Sequence, residues 1–202
     1  MNRSKLLAIL LLCIVAYVAL QPGMMAQVTQ AFSHASQASQ SLNTSIAPIT
    51  GGNVDYSVLG KPTITAARID TILRDAHSPA QGTGEAMYAY GVRYGIDPVF
   101  ALAFFQHEST FGRNGIAATN LGLGNIRCSQ GFVCINGFRA YSSWGAGYAD
   151  WYKLIRYQYV NAWKLLTVEQ IVPVYAPSAD RNNPTQYIAS VESAVAMWRG
   201  QK

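Results

Sequence analysis

Ten carboxylate side chains could supply acid–base chemistry to this chain, and Glu108 has the most distinctive setting among them. It follows Ala101, Phe104 and Phe105 by seven, four and three residues, so a helix would place all four on one face. An apolar face and the negative end of a helix both favour the neutral acid and raise the pKa of a carboxyl. The pattern predicts a proton donor at Glu108, with an exposed glutamate at a helix end as the alternative.

The other carboxylates mostly have structural explanations. Glu85, Asp97 and Glu169 stand at predicted helix starts. Asp150 lies among aromatic residues on a predicted helix, where we expect it to pair with an arginine. Asp180 falls in a polar stretch and is the candidate second carboxylate, with a turn-forming role as the alternative.

Two groups of residues could begin a metal site, but each lacks ligands that the site would need. His107 and Glu108 could begin a His-Glu-x-x-His zinc motif, but Phe111 stands where the second histidine is needed. Cys128 and Cys134 would need two further ligands, and the three histidines of the chain are widely scattered. We therefore expect no metal and no cofactor.

In an exported protein Cys128 and Cys134 would form a disulfide, with two reduced structural cysteines as the alternative.

Residues 1–25 predict export. Arg3 and Lys5 precede an unbroken apolar run from Leu6 to Leu20, which fits a signal peptide or a membrane anchor. The run is short for a membrane span, but no small-x-small cleavage site follows it, so both alternatives stay open. In either case we expect the rest of the chain to be extracytoplasmic, either secreted or anchored to the cytoplasmic membrane.

Composition indicates one packed domain behind a linker. Half of the 202 residues are hydrophobic, 12% are charged and 11% are aromatic, which is typical of a globular chain. The net charge of +5 is not concentrated in a basic run, which argues against nucleic-acid binding. Residues 26–62 are rich in small and polar side chains and predict a flexible linker, and residues 63–202 form the predicted domain.

Periodicity and capping signals predict six helices in this domain. The clearest start is Asp97-Pro98, an N-cap carboxylate followed by proline at the first helical position, and this helix carries Glu108. The expected ranges are 66–76, 83–94, 99–110, 142 or 143 to 163, a short helix from 167, and 184–198.

A small β-ribbon is expected between Ile126 and Tyr141. Short apolar pieces alternate there with Gln130-Gly131 and Asn136-Gly137, which are hairpin turn signals. A disulfide between the two cysteines of this stretch would pin the ribbon. The fold class is therefore mostly α, or α+β with one small ribbon.

Residues 101–112, Ala-Leu-Ala-Phe-Phe-Gln-His-Glu-Ser-Thr-Phe-Gly, resemble the catalytic helix of the glucosaminidase family, glycoside hydrolase family 73. That family belongs to the lysozyme-like superfamily and includes bacterial autolysins and mannosyl-glycoprotein endo-β-N-acetylglucosaminidase-like domains. Further resemblances follow in the family's order at residues 120–121, 138–143 and 175–176. The chain departs from the family at residues 120–127, where Asn-Leu-Gly-Leu-Gly-Asn-Ile-Arg replaces Asn-Leu-Phe-Gly-Ile-Lys, and in its disulfide loop.

This resemblance implies a lysozyme-like helical domain that hydrolyses β-1,4 glycosidic bonds at N-acetylglucosamine in peptidoglycan. Glu108 would be the general acid and Tyr175 would position substrate or water, while Asp180 is the candidate for a second catalytic group. We expect a monomer that binds peptidoglycan glycan strands, and that also contacts the membrane if its N-terminal segment is not cleaved. The residues expected to bind the substrate are Ser109, Phe111, Asn120, Tyr141 and Trp144, with Phe138 as a further stacking candidate.

Two alternatives to a glucosaminidase stay open. A lytic transglycosylase has the same general fold and a Glu-Ser helix end, but it continues with Gly-Leu-Met-Gln where this chain has Gly124-Asn125-Ile126-Arg127. The other alternative is a wall-binding domain without catalysis. The presence of Glu108 within its motif argues against that alternative.

Overall fold

The structure, a computed structural model, describes residues 56–200, and these confirm a mostly helical fold with one small antiparallel ribbon. All six predicted helices are present, together with a short helix and a 3₁₀ turn that the sequence did not predict. The elements are α1 (Ala66–Asp75), α2 (Gly84–Tyr94), α3 (Pro98–Ser109), α4 (Ala117–Asn120), β1 (Cys134–Ile135), β2 (Phe138–Arg139), α5 (Trp144–Lys153), a π-helix (Leu154–Ala162), α6 (Val168–Tyr175), a 3₁₀ turn (Ser178–Asp180) and α7 (Pro184–Gly200).

Helix α3 forms the centre of the core. Every residue from Pro98 to Phe105 is buried, because the helix is apolar on all sides and α2 and α7 pack against it. It begins as predicted at Asp97, whose carboxylate accepts a hydrogen bond from the Val99 backbone N–H at 3.2 Å. It ends at Thr110, which adopts the left-handed conformation with a φ of 49°. These two ends leave Glu108 in the last turn.

Ordered packing begins a few residues before residue 63, the predicted start of the domain. Val58 is fully buried, and its N–H donates to the Leu166 carbonyl oxygen at 2.9 Å. Its own carbonyl accepts from the Asp97 N–H at 3.0 Å. These bonds join residues far apart in sequence, so local composition could not reveal them. The predicted signal peptide or membrane anchor, residues 1–25, and residues 26–55 of the linker lie outside the described residues.

The ribbon forms where the sequence predicts it. β1 and β2 pair in register Cys134 to Arg139, joined by Asn136-Gly137 with φ values of 50° and 83°, as a type I′ turn requires. The predicted disulfide joins Cys128 to Cys134, with their Cα atoms 5.8 Å apart. Within residues 56–200, no helix has the length and apolar character needed to span a bilayer.

Candidate active site

Glu108 lines an open cleft and is held by two hydrogen-bond donors. The Tyr187 hydroxyl donates to Glu108 Oε1 at 2.7 Å, and Asn125 Nδ2 donates to Oε2 at 3.3 Å. Burial raises the pKa of the Glu108 carboxyl, and the two donors oppose this rise because they stabilise the ionised form. The pKa remains raised, which is the direction that a proton donor needs.

Tyr187 is a site residue that the sequence analysis missed. It lies near the start of α7, is 2% exposed, and stacks on the His107 imidazole with ring centroids 3.7 Å apart. Burial, and after it the charge of Glu108, raises the pKa of Tyr187, so its hydroxyl stays a proton donor. A tyrosine on an amphipathic helix is indistinguishable from a core residue in sequence. Only the packing of α7 on α3 reveals the contact.

Asn125 reaches Glu108 from the loop between α4 and the ribbon. Its Nδ2 also donates to the Glu108 carbonyl oxygen at 2.8 Å, and its φ of 45° is one that asparagine tolerates well. A Cβ on the preceding Gly124 would lie 2.5 Å from Trp151 Cδ1 and 3.0 Å from the Tyr175 hydroxyl oxygen. Because glycine alone permits this approach, the pair Gly124-Asn125 sets the position of the amide.

Tyr175 holds this loop in place. Its hydroxyl donates to the Gly124 carbonyl oxygen and accepts from Trp151 Nε1 at 3.1 Å. Burial, and after it the charge of Glu108, raises the pKa of the Tyr175 hydroxyl well above its ordinary value. Tyr175 lines the cleft, and its hydroxyl already has an acceptor and a donor. The geometry therefore makes it a positioning residue for the loop that carries Asn125.

Asp180 lines the same cleft as Glu108, brought there by the 3₁₀ turn that follows α6. Its carboxylate forms a salt bridge of 2.9 Å with Arg127. The side chains of Asp180 and Arg127 are 41% and 70% exposed, so this ion pair orients the carboxylate more than it stabilises the fold. The cavity that joins Glu108 to Asp180 has a volume of about 160 Å³. Among the described residues, no cluster of three His, Cys, Asp or Glu side chains could hold a metal ion.

Comparison with solved structures gives a match at the level of the fold. A crystal structure of S. aureus autolysin E matches with a TM-score of 0.54, covering 72% of this chain and 70% of that chain, at 11% sequence identity. The chain shares the fold of autolysin E. At this identity the likeness concerns the fold alone, so the reaction has to be argued from the site. No protein-family model and no curated protein sequence matches the chain.

Three residues expected to bind substrate are buried in this autolysin-like fold, so their role in binding stays a prediction. Ser109, Phe111 and Asn120 are each at most 2% exposed. Ser109 Oγ donates to the Leu123 carbonyl oxygen at 2.9 Å, and Asn120 Nδ2 donates to the Arg139 carbonyl oxygen at 3.0 Å. Their polar groups are therefore satisfied inside the domain, where they fix the segments that border the cleft.

Of the three aromatic residues proposed as stacking faces, Phe138 lines the Glu108 cleft, while Tyr141 and Trp144 are absent from its walls. Trp144 packs partly buried against the core. The Tyr141 hydroxyl donates to Asp150 Oδ2 at 2.8 Å, and burial with this bond raises the pKa of Tyr141. The same Asp150 oxygen pairs with Arg139 at 2.9 Å, which confirms the arginine partner predicted for Asp150.

Proposed function

We propose that this protein is a cell-wall glycosidase, an endo-β-N-acetylglucosaminidase that hydrolyses β-1,4 bonds at N-acetylglucosamine in peptidoglycan. The observation that carries the proposal is Glu108, a carboxyl whose pKa is raised by burial at the wall of an open cleft. The fold shared with autolysin E and the glucosaminidase-like motif around Glu108 support the same class of reaction. Export, which the N-terminal segment predicts, would place the enzyme at its substrate.

In this reaction Glu108 donates its proton to the glycosidic oxygen as the bond to the anomeric carbon breaks. Tyr187 and Asn125 orient the carboxyl, and both stabilise the carboxylate that remains after the proton has left. Water then attacks the anomeric carbon, and the proton that this water loses restores the acid. Each cleavage consumes one water molecule and leaves a reducing sugar end.

Asp180 is our candidate for the second carboxylate. It lines the cavity that contains Glu108, and its salt bridge to Arg127 gives its carboxylate a defined position. We assign to it the role of polarising the attacking water, as the second carboxylate of a glycosidase does. The alternative route uses the acetamido group of the substrate as the nucleophile, and it gives the same hydrolysed product.

Glu108→Gln tests the proposal, because the amide has nearly the same shape but cannot donate the proton. We expect the variant to keep its circular dichroism spectrum and to lose about 10²- to 10⁴-fold in turnover on purified peptidoglycan. Glu85→Gln, at an exposed position in the first turn of α2, is the matched control. Wild-type turnover by folded Glu108→Gln would overturn the assignment.

Product analysis distinguishes the alternatives. The released fragments are reduced with borohydride and their masses are measured by mass spectrometry. We expect fragments that end in reduced N-acetylglucosamine. A predominance of 1,6-anhydromuramic ends would assign the site to a lytic transglycosylase. Binding to the wall without release of fragments by the wild-type protein would identify a non-catalytic binding domain.

A further inference from the structure

Two further cavities lie in a row beside the cleft at Glu108. A second cavity of about 310 Å³ shares four wall residues with the Glu108 cavity, namely Asn125, Arg127, Tyr175 and Asp180. A third cavity of about 180 Å³ shares three wall residues with the second, namely Arg139, Leu154 and Gln158. Because neighbouring cavities share wall residues, the three lie next to one another in a row that starts at Glu108. We call the third cavity the distal compartment.

Two exposed aromatic rings border the distal compartment. Phe132 is 42% exposed and Tyr157 is 55% exposed, and both rings line this one cavity. Two aromatic rings at one concave site are more informative than exposed apolar side chains scattered singly over a surface. The Arg139 guanidinium carbon lies 3.7 Å from the centre of the Phe132 ring, and the Tyr157 ring packs edge-on to Tyr94 at 6.0 Å. These contacts orient both rings, so the compartment presents two ordered aromatic surfaces.

Two local features of this chain build the distal compartment. Phe132 lies within the loop closed by Cys128 and Cys134, the part of the sequence that departs from the glucosaminidase pattern. Tyr157 and Gln158 lie in the π-helix, a rare conformation that occurs frequently at functional sites. Two separate elements therefore meet at the end of the row of cavities.

The charges at the compartment leave one cation without a paired carboxylate in its lining. Arg139 and Asp150 form a salt bridge of 2.9 Å, and their side chains are only 13% and 14% exposed, so they largely neutralise each other. Lys153 adds one exposed cation at the wall, and Gln158 adds a neutral amide. Aromatic surfaces with a few hydrogen-bonding groups suit a polyhydroxylated ring, and the Lys153 cation suits the carboxylate of an N-acetylmuramic acid unit.

We propose that the distal compartment binds a sugar unit of the same glycan strand, remote from the bond that is cleaved at Glu108. The inference rests on the proposed function, which supplies the glycan. The row of adjacent cavities makes one extended strand the occupant, because a strand that starts at Glu108 and follows the row reaches Phe132 and Tyr157. The enzyme should therefore bind long strands more tightly than short ones.

Binding to the inactive variant separates this inference from catalysis. In the Glu108→Gln background, isothermal titration calorimetry measures the Kd of peptide-free N-acetylglucosamine–N-acetylmuramic acid oligomers of increasing length. We expect the affinity to rise with oligomer length. Phe132→Ala and Tyr157→Ala should each raise the Kd of the longest oligomer about fivefold, which is the typical effect of losing one aromatic contact. Met197→Ala, at an exposed position on α7, is the control that should leave the length dependence intact.

The outcomes separate the two proposals. Suppose that the wild-type protein cleaves peptidoglycan, but that the affinity for the oligomers depends neither on their length nor on the two aromatic residues. The proposal that the distal compartment binds a sugar unit is then overturned, and the proposed function stands. If the two substitutions weaken binding only when stem peptides are attached to the oligomers, the compartment binds peptide, and the glycan assignment is overturned. Circular dichroism of each variant verifies that the loop and the π-helix substitutions leave the fold intact.

Discussion

The hydroxyl of Tyr187 donates a hydrogen bond of 2.7 Å to Glu108 Oε1, although 79 residues separate the two in sequence. The bond stabilises the ionised carboxylate, whereas burial stabilises the neutral acid. Tyr187 therefore limits how far burial raises the pKa of Glu108. It also orients the carboxyl, since its ring is fixed against His107.

Tyr187→Phe keeps the ring and removes this donor. With one donor fewer for the ionised form, the pKa of Glu108 rises further, so the acid stays protonated to higher pH. We expect the alkaline limb of the kcat/KM profile on peptidoglycan to move to higher pH. Tyr90→Phe on α2 is the control. An alkaline limb that stays in place, or moves to lower pH, would contradict the role given to Tyr187.

Asp180→Asn tests the second carboxylate. Asparagine keeps the shape of the side chain but removes its charge, so we expect turnover to fall about 10²-fold if Asp180 polarises the attacking water. The melting temperature should change little, since an exposed ion pair is worth about 0–1 kcal/mol. Asp75→Asn, which removes an exposed ion pair with Arg74, is the matched control. Near-normal turnover by Asp180→Asn would assign the attack to the acetamido group of the substrate.

Gly124→Ala should impair both stability and activity. The new Cβ would lie 2.5 Å from Trp151 Cδ1, so the loop must move, and Asn125 moves with it away from Glu108. We expect a loss of about 1–3 kcal/mol in the free energy of unfolding, measured in urea, together with a large loss of turnover. Gly145→Ala is the control, since its Cβ would meet nothing closer than 3.9 Å. Full activity in Gly124→Ala would show that the loop position is dispensable.

Cys128→Ser should lower the melting temperature without changing the helical signal in circular dichroism. The disulfide closes a loop with a sequence separation of 6, and in the chain-entropy model such a loop contributes about 2 kcal/mol to stability. Reduction of the wild-type protein should give the same shift, and reduction of Cys128→Ser should give none. Free thiols at both cysteines in protein purified from its native compartment would refute the disulfide.

Local sequence determined much of the fold around the site. Asp97-Pro98 starts α3 and Asn136-Gly137 forms the ribbon turn, because capping and turn conformations depend on residues adjacent in the chain. The spacing of Glu108 from Phe104 and Phe105 determined its place on the apolar side of α3 for the same reason. These features depend on interactions within a few residues, which a sequence displays directly.

The surroundings of Glu108 were decided by tertiary structure. Tyr187 and Asn125 reach its carboxylate from α7 and from a distant loop, and neither has a local signal of that contact. Ser109 and Asn120 stand in motif positions, yet packing buries them against segments that the sequence does not show to be neighbours. Residue types and periodicity identify what a side chain can do and which face of a helix it occupies. Which element covers that face depends on how distant segments pack, and this packing set the environment that raises the pKa of Glu108.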